Sequence, residues 1–373
     1  MFYNNKVSDK CQIKMKSKTK LSDNLVIKSA GSDLYRIGLS LFVFNGVKRK
    51  FVFNPYFTSF ITFGFTLKLL IIIILHNYSE KFHLYLGDFS YFTDTAKQLL
   101  IGVFNYGMIA VFSQTLHLWY YWKGIEPTYL RPFLMMSGMI SPESIGLTDS
   151  SVVERLMKRA KLNFKITELI LKTRIPMGVM VAGVPLSLNA TPLEFIFAVI
   201  PWVAIFTLWI WITAGYLLYQ INYFSIICYY LKLKLKVLNT RVENQIISTK
   251  RLNITEVRDL CRSYDSIHRE IQEINDNYWS QYLSMLSFAS MITCNITLFA
   301  FLFSGLSAVL KVVYFYSALL FFSILVFILW TASLVGVEAN KSYPLLNSLL
   351  VQRDKSFPLI HYRIKVSQKI AFF

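Results

Sequence analysis

The chain has 373 residues, of which 54% are hydrophobic, 16% aromatic and only 16% charged, and its mean hydropathy is +0.45. Soluble domains carry about 25% charged residues, so too few are present to cover a water-facing surface, and disordered, collagen-like and disulfide-rich classes are excluded by the same figures. A formal charge of +18 would suggest nucleic acid in a polar chain; in an apolar one it reports which side of a bilayer the basic residues occupy, and no nucleic-acid partner is expected.

A membrane-spanning helix needs about 20 mostly apolar residues, at 1.5 Å rise each through about 30 Å of hydrocarbon. Residues 1–55 are polar and basic and lack the short apolar core of a secretory signal. Their Lys10–Lys20 run reads as a basic arm attracted to anionic lipid. Spans are predicted over 56–75, 99–119, 175–190, 195–219, 281–304 and 309–335. The third holds Pro176 and Pro185 and is taken as the end of one long helix that begins in water over Val152–Lys172. Two long connections, 120–174 and 223–280, are expected to be helical, and 336–373 forms a polar tail. The expected fold is all-α: a polytopic membrane helix bundle with six spans, both termini cytoplasmic and long helical cytoplasmic extensions.

Charge sets the orientation. Residues 1–55, 120–174, 223–277 and 336–373 together hold 35 lysines and arginines. The opposite side has three (Lys81, Lys97 and Lys311), and Lys68 lies inside the first span. Positive residues stay inside, so both ends are expected in the cytoplasm of a multi-pass plasma-membrane protein. Asn77-Tyr78-Ser79 and Asn189-Ala190-Thr191 are acceptor sequons in the outer loops, which makes Asn77 and Asn189 glycosylation candidates. The cysteines Cys11, Cys228, Cys261 and Cys294 offer no outer-loop disulfide and no metal spacing.

Val257, Leu260, Tyr264, Ile267, Ile271, Ile274 and Tyr278 recur at alternating spacings of three and four, a heptad seam of three heptads feeding the fifth span. Two uses are open: packing against the chain's own cytoplasmic helices, or holding several subunits together. The LKLKLK run at 231–236 reads as a helix exit whose lysines reach toward headgroups.

Nucleotide-binding, nucleophile-elbow and zinc-protease motifs are missing. The spans hold no deep carboxylate of the kind that ion-coupled transport uses. No enzyme activity, metal or cofactor is therefore expected. Lys68 reads as a snorkelling or packing residue. In the outer halves of the spans Tyr106, Trp202, Asn295, Tyr314 and Tyr316, with Phe104, Asn105, Phe197 and Phe299 nearby, would line an apolar cavity with a few hydrogen-bonding groups. The same aromatics also suit simple packing. Trp119, Trp122, Trp209 and Trp211 lie at the inner boundary and read as belt residues.

The pattern resembles the insect gustatory and odorant receptor superfamily, gustatory branch. The resemblance is carried by the basic amino end with LYRIGLSLFVFN (Leu34–Asn45), the short outer loops, the long second and fourth inner connections, the seam helix, and the tail SFPLIHYRIKVSQKIAFF. It implies a tetrameric, ligand-gated cation channel whose subunits, homo- or hetero-assembled, each hold a small-molecule tastant pocket in the outer half of the bundle. Members have seven helices, and the last carries the signature motif and lines the pore. The sequence stops where that helix would begin, so no motif residue is carried over, and a fragment, splice form, incomplete gene model or non-conducting subunit is expected. The alternative from another class is a multispan small-solute transporter. A G-protein-coupled receptor would place its amino end outside, against the charge distribution.

Overall fold

The computed structural model describes residues 55–74, 79–89, 91, 96–123, 131–136, 140–247, 254–303 and 308–351. The amino-terminal region with LYRIGLSLFVFN, the Asn77 sequon and the tail beyond 351 lie outside the described residues.

Eleven α-helices occur among the described residues, and no strand does. They are α1 (Pro55–Ile74), α2 (Glu80–Tyr85), α3 (Ala96–Lys123), α4 (Arg131–Met136), α5 (Ser150–Gly178), α6 (Val184–Leu188), α7 (Pro192–Glu194), α8 (Ile200–Ile247), α9 (Ile254–Ile274), α10 (Ser280–Phe303) and α11 (Ala308–Val351). π-Helical segments at Val179–Gly183, Phe195–Val199 and Asn275–Trp279 join α5 to α6, α7 to α8 and α9 to α10. The long helix expected to enter the membrane at Ile175 is thus continuous from Ser150, widened by one π turn, and ends at Leu188.

Among the described residues, three helical stretches are long and apolar enough to cross a membrane: Pro192–Ile247, Ser280–Phe303 and Lys311–Leu345. Three shorter apolar ones, Thr58–Ile74, Leu100–Leu116 and Val179–Leu188, complete the bundle. Its outer surface is apolar. Phe63 and Ile74 on α1, Phe288 and Phe303 on α10, and Phe322 and Leu329 on α11 are all more than half exposed. In water these would form a contiguous apolar patch far beyond what a soluble monomer shows; against lipid they are at their lowest free energy.

Helix α8, at 48 residues, is the organising element. It packs against α5 and α11 along much of its length and also touches α1, α3 and α9. Apolar burial cannot draw helices together inside lipid, so close approach and hydrogen bonds must do so. Gly107 of α3 meets Thr66 of α1 so closely that a Cβ would overlap the threonine. Gln114 of α3 donates to Thr62 Oγ1 of α1 at 3.2 Å, and Trp209 Nε1 of α8 points at the Thr62 carbonyl at 3.4 Å.

Below the apolar belt, the main core gathers α4, α5, α8 and α9. Val257, Leu260, Tyr264, Ile267, Ile271 and Ile274 of the seam are all buried in that core, facing the chain's own helices. Tyr278 falls in the following π segment. Lys234, expected among the headgroups, instead pairs with Glu270 of α9, whose carboxylate also accepts from the Tyr230 hydroxyl at 2.9 Å. A buried polar junction ties three helices. Asn239 Nδ2 of α8 donates to the Glu338 carbonyl (3.0 Å) and Oε1 (3.2 Å) of α11. Its Oδ1 accepts from Tyr264 of α9 (2.6 Å) and Ser342 of α11 (2.8 Å).

Candidate ligand-binding site

The upper half of the bundle holds a partly open cavity of about 150 Å³. It is framed by α3 through Tyr106, the end of α5 through Gly178, the π segment that follows through Val181, α8 through Phe206, Trp209 and Thr213, α10 through Thr293 and Thr297, and α11 through Tyr314, Ser317 and Phe321. The Tyr106 ring packs on Phe321 with centroids 4.6 Å apart. None of the twenty lining residues is an acid, a base or a histidine, and six carry a hydroxyl.

Those hydroxyls are not equivalent. Thr293 Oγ1 donates to the Ala289 carbonyl at 2.8 Å, and Thr297 Oγ1 donates to the Thr293 carbonyl at 2.8 Å. Their protons are spent on their own helix, as is usual for threonine in an apolar helix, and only lone pairs remain toward the cavity. Thr213 is 2% exposed, and its Oγ1 has no hydrogen-bonding partner. A buried hydroxyl left unpaired costs about 1–3 kcal/mol.

A cap of loop and short helix covers the outer end. Trp202 Nε1 donates to the Tyr85 carbonyl at 2.7 Å, and Gly87, at φ +64°, lies flat against the Trp202 ring. The Lys68 Nζ lies 3.5 Å from the centroid of that ring and 4.7 Å from that of Phe65. Lys68 thus packs its Nζ over aromatic faces rather than reaching out to the headgroups. His83 Nδ1 lies 2.9 Å from Asp88 Oδ2, with both side chains buried, and the His83 ring stacks on Tyr91 at 4.0 Å. Phe89 closes the cap onto cavity-lining Phe206, with centroids 4.8 Å apart. Thr191 and Glu194 form a capping box before α8, each side chain accepting from the other's backbone N–H.

Of the residues singled out in the sequence, the cavity brings together Tyr106 and Tyr314. Trp202 sits above it in the cap, while Asn295 and Tyr316 face outward, the latter with its hydroxyl 3.4 Å from Thr173 Oγ1. Trp209, read as a belt residue, is buried in the cavity wall against Phe65, whereas Trp119 is 43% exposed. Thr213, Thr293, Thr297 and Ser317 were not anticipated. The spacing of Thr293 and Thr297, four apart on one helical face, is the signal that could have found two of them. Asn189 closes the turn after α6, where its Nδ2 donates to the Pro185 carbonyl at 2.8 Å. Among the described residues, no group of three potential ligands is placed to hold a metal ion.

The chain is therefore an all-helical, multi-pass membrane bundle with a partly open, apolar cavity. No protein-family model matches it, and neither does any curated protein. Its fold is similar to that of the insect olfactory receptor OR5 from Machilis hrabei, at a TM-score of 0.60 and 14% identity over 92% of this chain and 88% of that one. The same receptor in complex with eugenol matches at a TM-score of 0.57 and 14% identity, over 93% and 88%. At that identity the likeness is one of fold.

Proposed function

We propose that the chain is a chemoreceptor subunit of the insect gustatory and odorant receptor superfamily, gustatory branch, binding a small-molecule tastant in the cavity between α3, α5, α8, α10 and α11. The observation that carries this reading is that uncharged, apolar cavity within a fold shared with an olfactory receptor. In this reading the chain lies in the plasma membrane with residues 1–55 and 336–373 cytoplasmic, as its 35 basic residues on one side favour. The spans are those assigned from the sequence, the cap residues 79–91 face outside, and Asn77 and Asn189 are the acceptors available for glycosylation. The ligand biases a cation channel built from four such subunits, alike or mixed. Because the seam residues Leu260 and Ile267 are buried within the chain, subunit contacts use other surfaces.

Expression in cells lacking endogenous receptors, alone and with related subunits, tests the reading. Panels of sugars, alkaloids, alcohols and phenols are applied while membrane current and tracer uptake are recorded. A ligand-evoked cation current is expected. Solute uptake without channel-like current would replace the receptor with a carrier. Surface-expressed protein that neither conducts nor binds any panel member would remove the proposal.

A further inference from the structure

We infer that the outward face between α5 and α11 binds one anionic phospholipid of the cytoplasmic leaflet, with its phosphate held by Arg155 and Arg159 and its acyl chains lying in the groove above them. The site is separate from the ligand cavity. From the proposed function it needs only that residues 150–172 lie on the inner side of a bilayer.

Arg155, Arg159, Leu162, Ile166, Leu169 and Thr173 recur at spacings of four, three, four, three and four, so they share one face of α5. That face is turned away from the core. Its three apolar residues are 49%, 48% and 66% exposed, whereas Leu156, Ala160 and Phe164 on the opposite side are buried. Within one turn the stripe changes from guanidinium to hydrocarbon. Water does not favour three large apolar residues in a row, and lipid does not favour two arginines. The boundary between headgroups and acyl chains suits both halves.

Helix α11 supplies the second wall and the depth. The Arg159 guanidinium lies 5.9 Å from the Trp330 ring centroid, and Thr173 Oγ1 lies 3.4 Å from the Tyr316 hydroxyl. The two contacts are separated by the same number of residues on both helices, so α5 and α11 run antiparallel for about 21 Å between them. Both pack on α8 but scarcely on each other, which leaves a groove. Leu162, Ile166 and Leu169 form one side of it, and the exposed Leu319, Val326 and Trp330 the other. Trp330 is about 28 Å along α11 from Lys311, so the pair marks the two edges of the hydrocarbon layer. Arg159 therefore stands at the inner edge, and Arg155 one turn deeper, at the level of the phosphates.

Charge selects the headgroup. Between Ser150 and Thr173 α5 carries Arg155, Lys158, Arg159, Lys161, Lys165 and Lys172 against Glu154 and Glu168. The two acids pair with Lys158 (2.9 Å) and Lys172 (3.1 Å) on the exposed surface, and Asp149, just before the helix, is hydrogen-bonded to Ser151. Arg159, Lys161 and Lys165 have no acidic partner among the described residues. Arg155 donates to the Ser151 carbonyl and hydroxyl and keeps further N–H groups for a phosphate, whose geometry the guanidinium fork matches. A phosphatidylcholine brings its own cation to a surface that already has a surplus. An anionic phospholipid neutralises that surplus.

The test uses the full chain in phosphatidylcholine nanodiscs doped with phosphatidylserine or phosphatidylcholine that carries a photo-crosslinking diazirine in its acyl chain, and mass spectrometry locates the labelled peptides. Phosphatidylserine should label 160–170 and 319–330 more than tenfold over phosphatidylcholine, with each arginine contributing about fivefold. Arg155→Gln and Arg159→Gln should each lower the preference by that factor and leave phosphatidylcholine labelling unchanged, while Arg155→Lys and Arg159→Lys retain most of it. Melting temperatures show whether a variant fails to fold, in which case the lysine variants and the loss of the wild-type preference in high salt carry the result. Equal labelling by the two lipids, or a preference that survives both glutamine variants, overturns the inference. So does complete competition by soluble glycerophosphoserine, which would make the site one for a free anion, or crosslinking of the groove to a second copy of the chain, which would make it a subunit interface. Absence of ligand-evoked current would remove the receptor reading and leave this site standing; loss of the lipid preference would do the reverse.

Discussion

Replacing Asn239 by alanine removes the centre of the junction where α8, α9 and α11 meet. Four hydrogen bonds end on this side chain, two donated to Glu338 and two accepted from Tyr264 and Ser342. Asn239 and Ser342 are 2% and 0% exposed, so the groups left behind have no water to turn to. The Tyr264 hydroxyl loses its partner at about 1–3 kcal/mol, while the Ser342 hydroxyl keeps the Glu338 carbonyl at 3.4 Å. Lys341 Nζ still reaches the Glu338 carboxylate at 3.3 Å, which limits the loss there. The expected destabilisation is about 2 kcal/mol, the middle of the range for one stranded hydroxyl. At about 2 °C per kcal/mol for a chain of this size, the melting temperature in nanodiscs should fall by about 4 °C. Tyr264→Phe alone should cost about 1 kcal/mol and should cost nothing further once Asn239 is gone, because the two residues share the bond. A melting temperature for Asn239→Ala within a degree of wild type, or full additivity with Tyr264→Phe, would refute the account of the junction.

Three further outcomes can be checked. Gly87→Ala places a Cβ inside the Trp202 ring at a positive φ, a backbone strain of about 1–2 kcal/mol before any overlap is counted; limited proteolysis should cut within 79–91 faster than in wild type, and an unchanged rate would contradict the cap as described. Asp149 accepts the Ser151 backbone N–H at 2.8 Å and its hydroxyl at 2.9 Å, and these bonds hold its exposed carboxyl below its ordinary value. Its contribution is thus present at neutral pH and lost as the pH falls through the lowered value, so Asp149→Ala should lower the melting temperature at pH 7 and make no difference in strong acid. Burial, aided by the nearby Asp265 charge, pushes the Cys261 thiol up to about 11. It stays protonated at pH 8, and maleimide labelling there should be slow in the folded chain and fast after unfolding, with the thiol's stabilising contribution fading only as pH climbs from about 9 toward 11; equal labelling rates in both states would place Cys261 at the surface.

The sequence was most legible where one helix face meets water. The seam from Val257 to Ile274 stands out because charged residues such as Arg258, Asp259 and Arg262 fill the faces between its apolar positions, and its residues lie in the core. The cavity was harder to read for a physical reason. Inside a bilayer both the lipid face and the packed face of a helix are apolar, so composition reports depth and conceals direction. Asn295 lies at the right depth, but two residues from both Thr293 and Thr297 is about 200° of rotation, and it faces out while they face in. Tyr316 stands in the same relation to Tyr314. Trp202 shares the face of Trp209 and Thr213 but lies eleven residues from Thr213, about 16 Å along the axis, which lifts it out of the cavity and into the cap. Thr213 had no distinguishing neighbour in the sequence. Only its burial without a partner marks it.

Helices α8 and α11 run together from the cavity to the Asn239 junction. Thr213 and Asn239 are 26 residues apart on α8, about 39 Å, and Tyr314 and Ser342 are 28 apart on α11, about 42 Å. Each is a continuous rod facing the ligand space at one end and pinned to the other rod at its far end. A shift of either helix at the cavity therefore has a continuous helix, with no relay of side chains, through which to reach the junction.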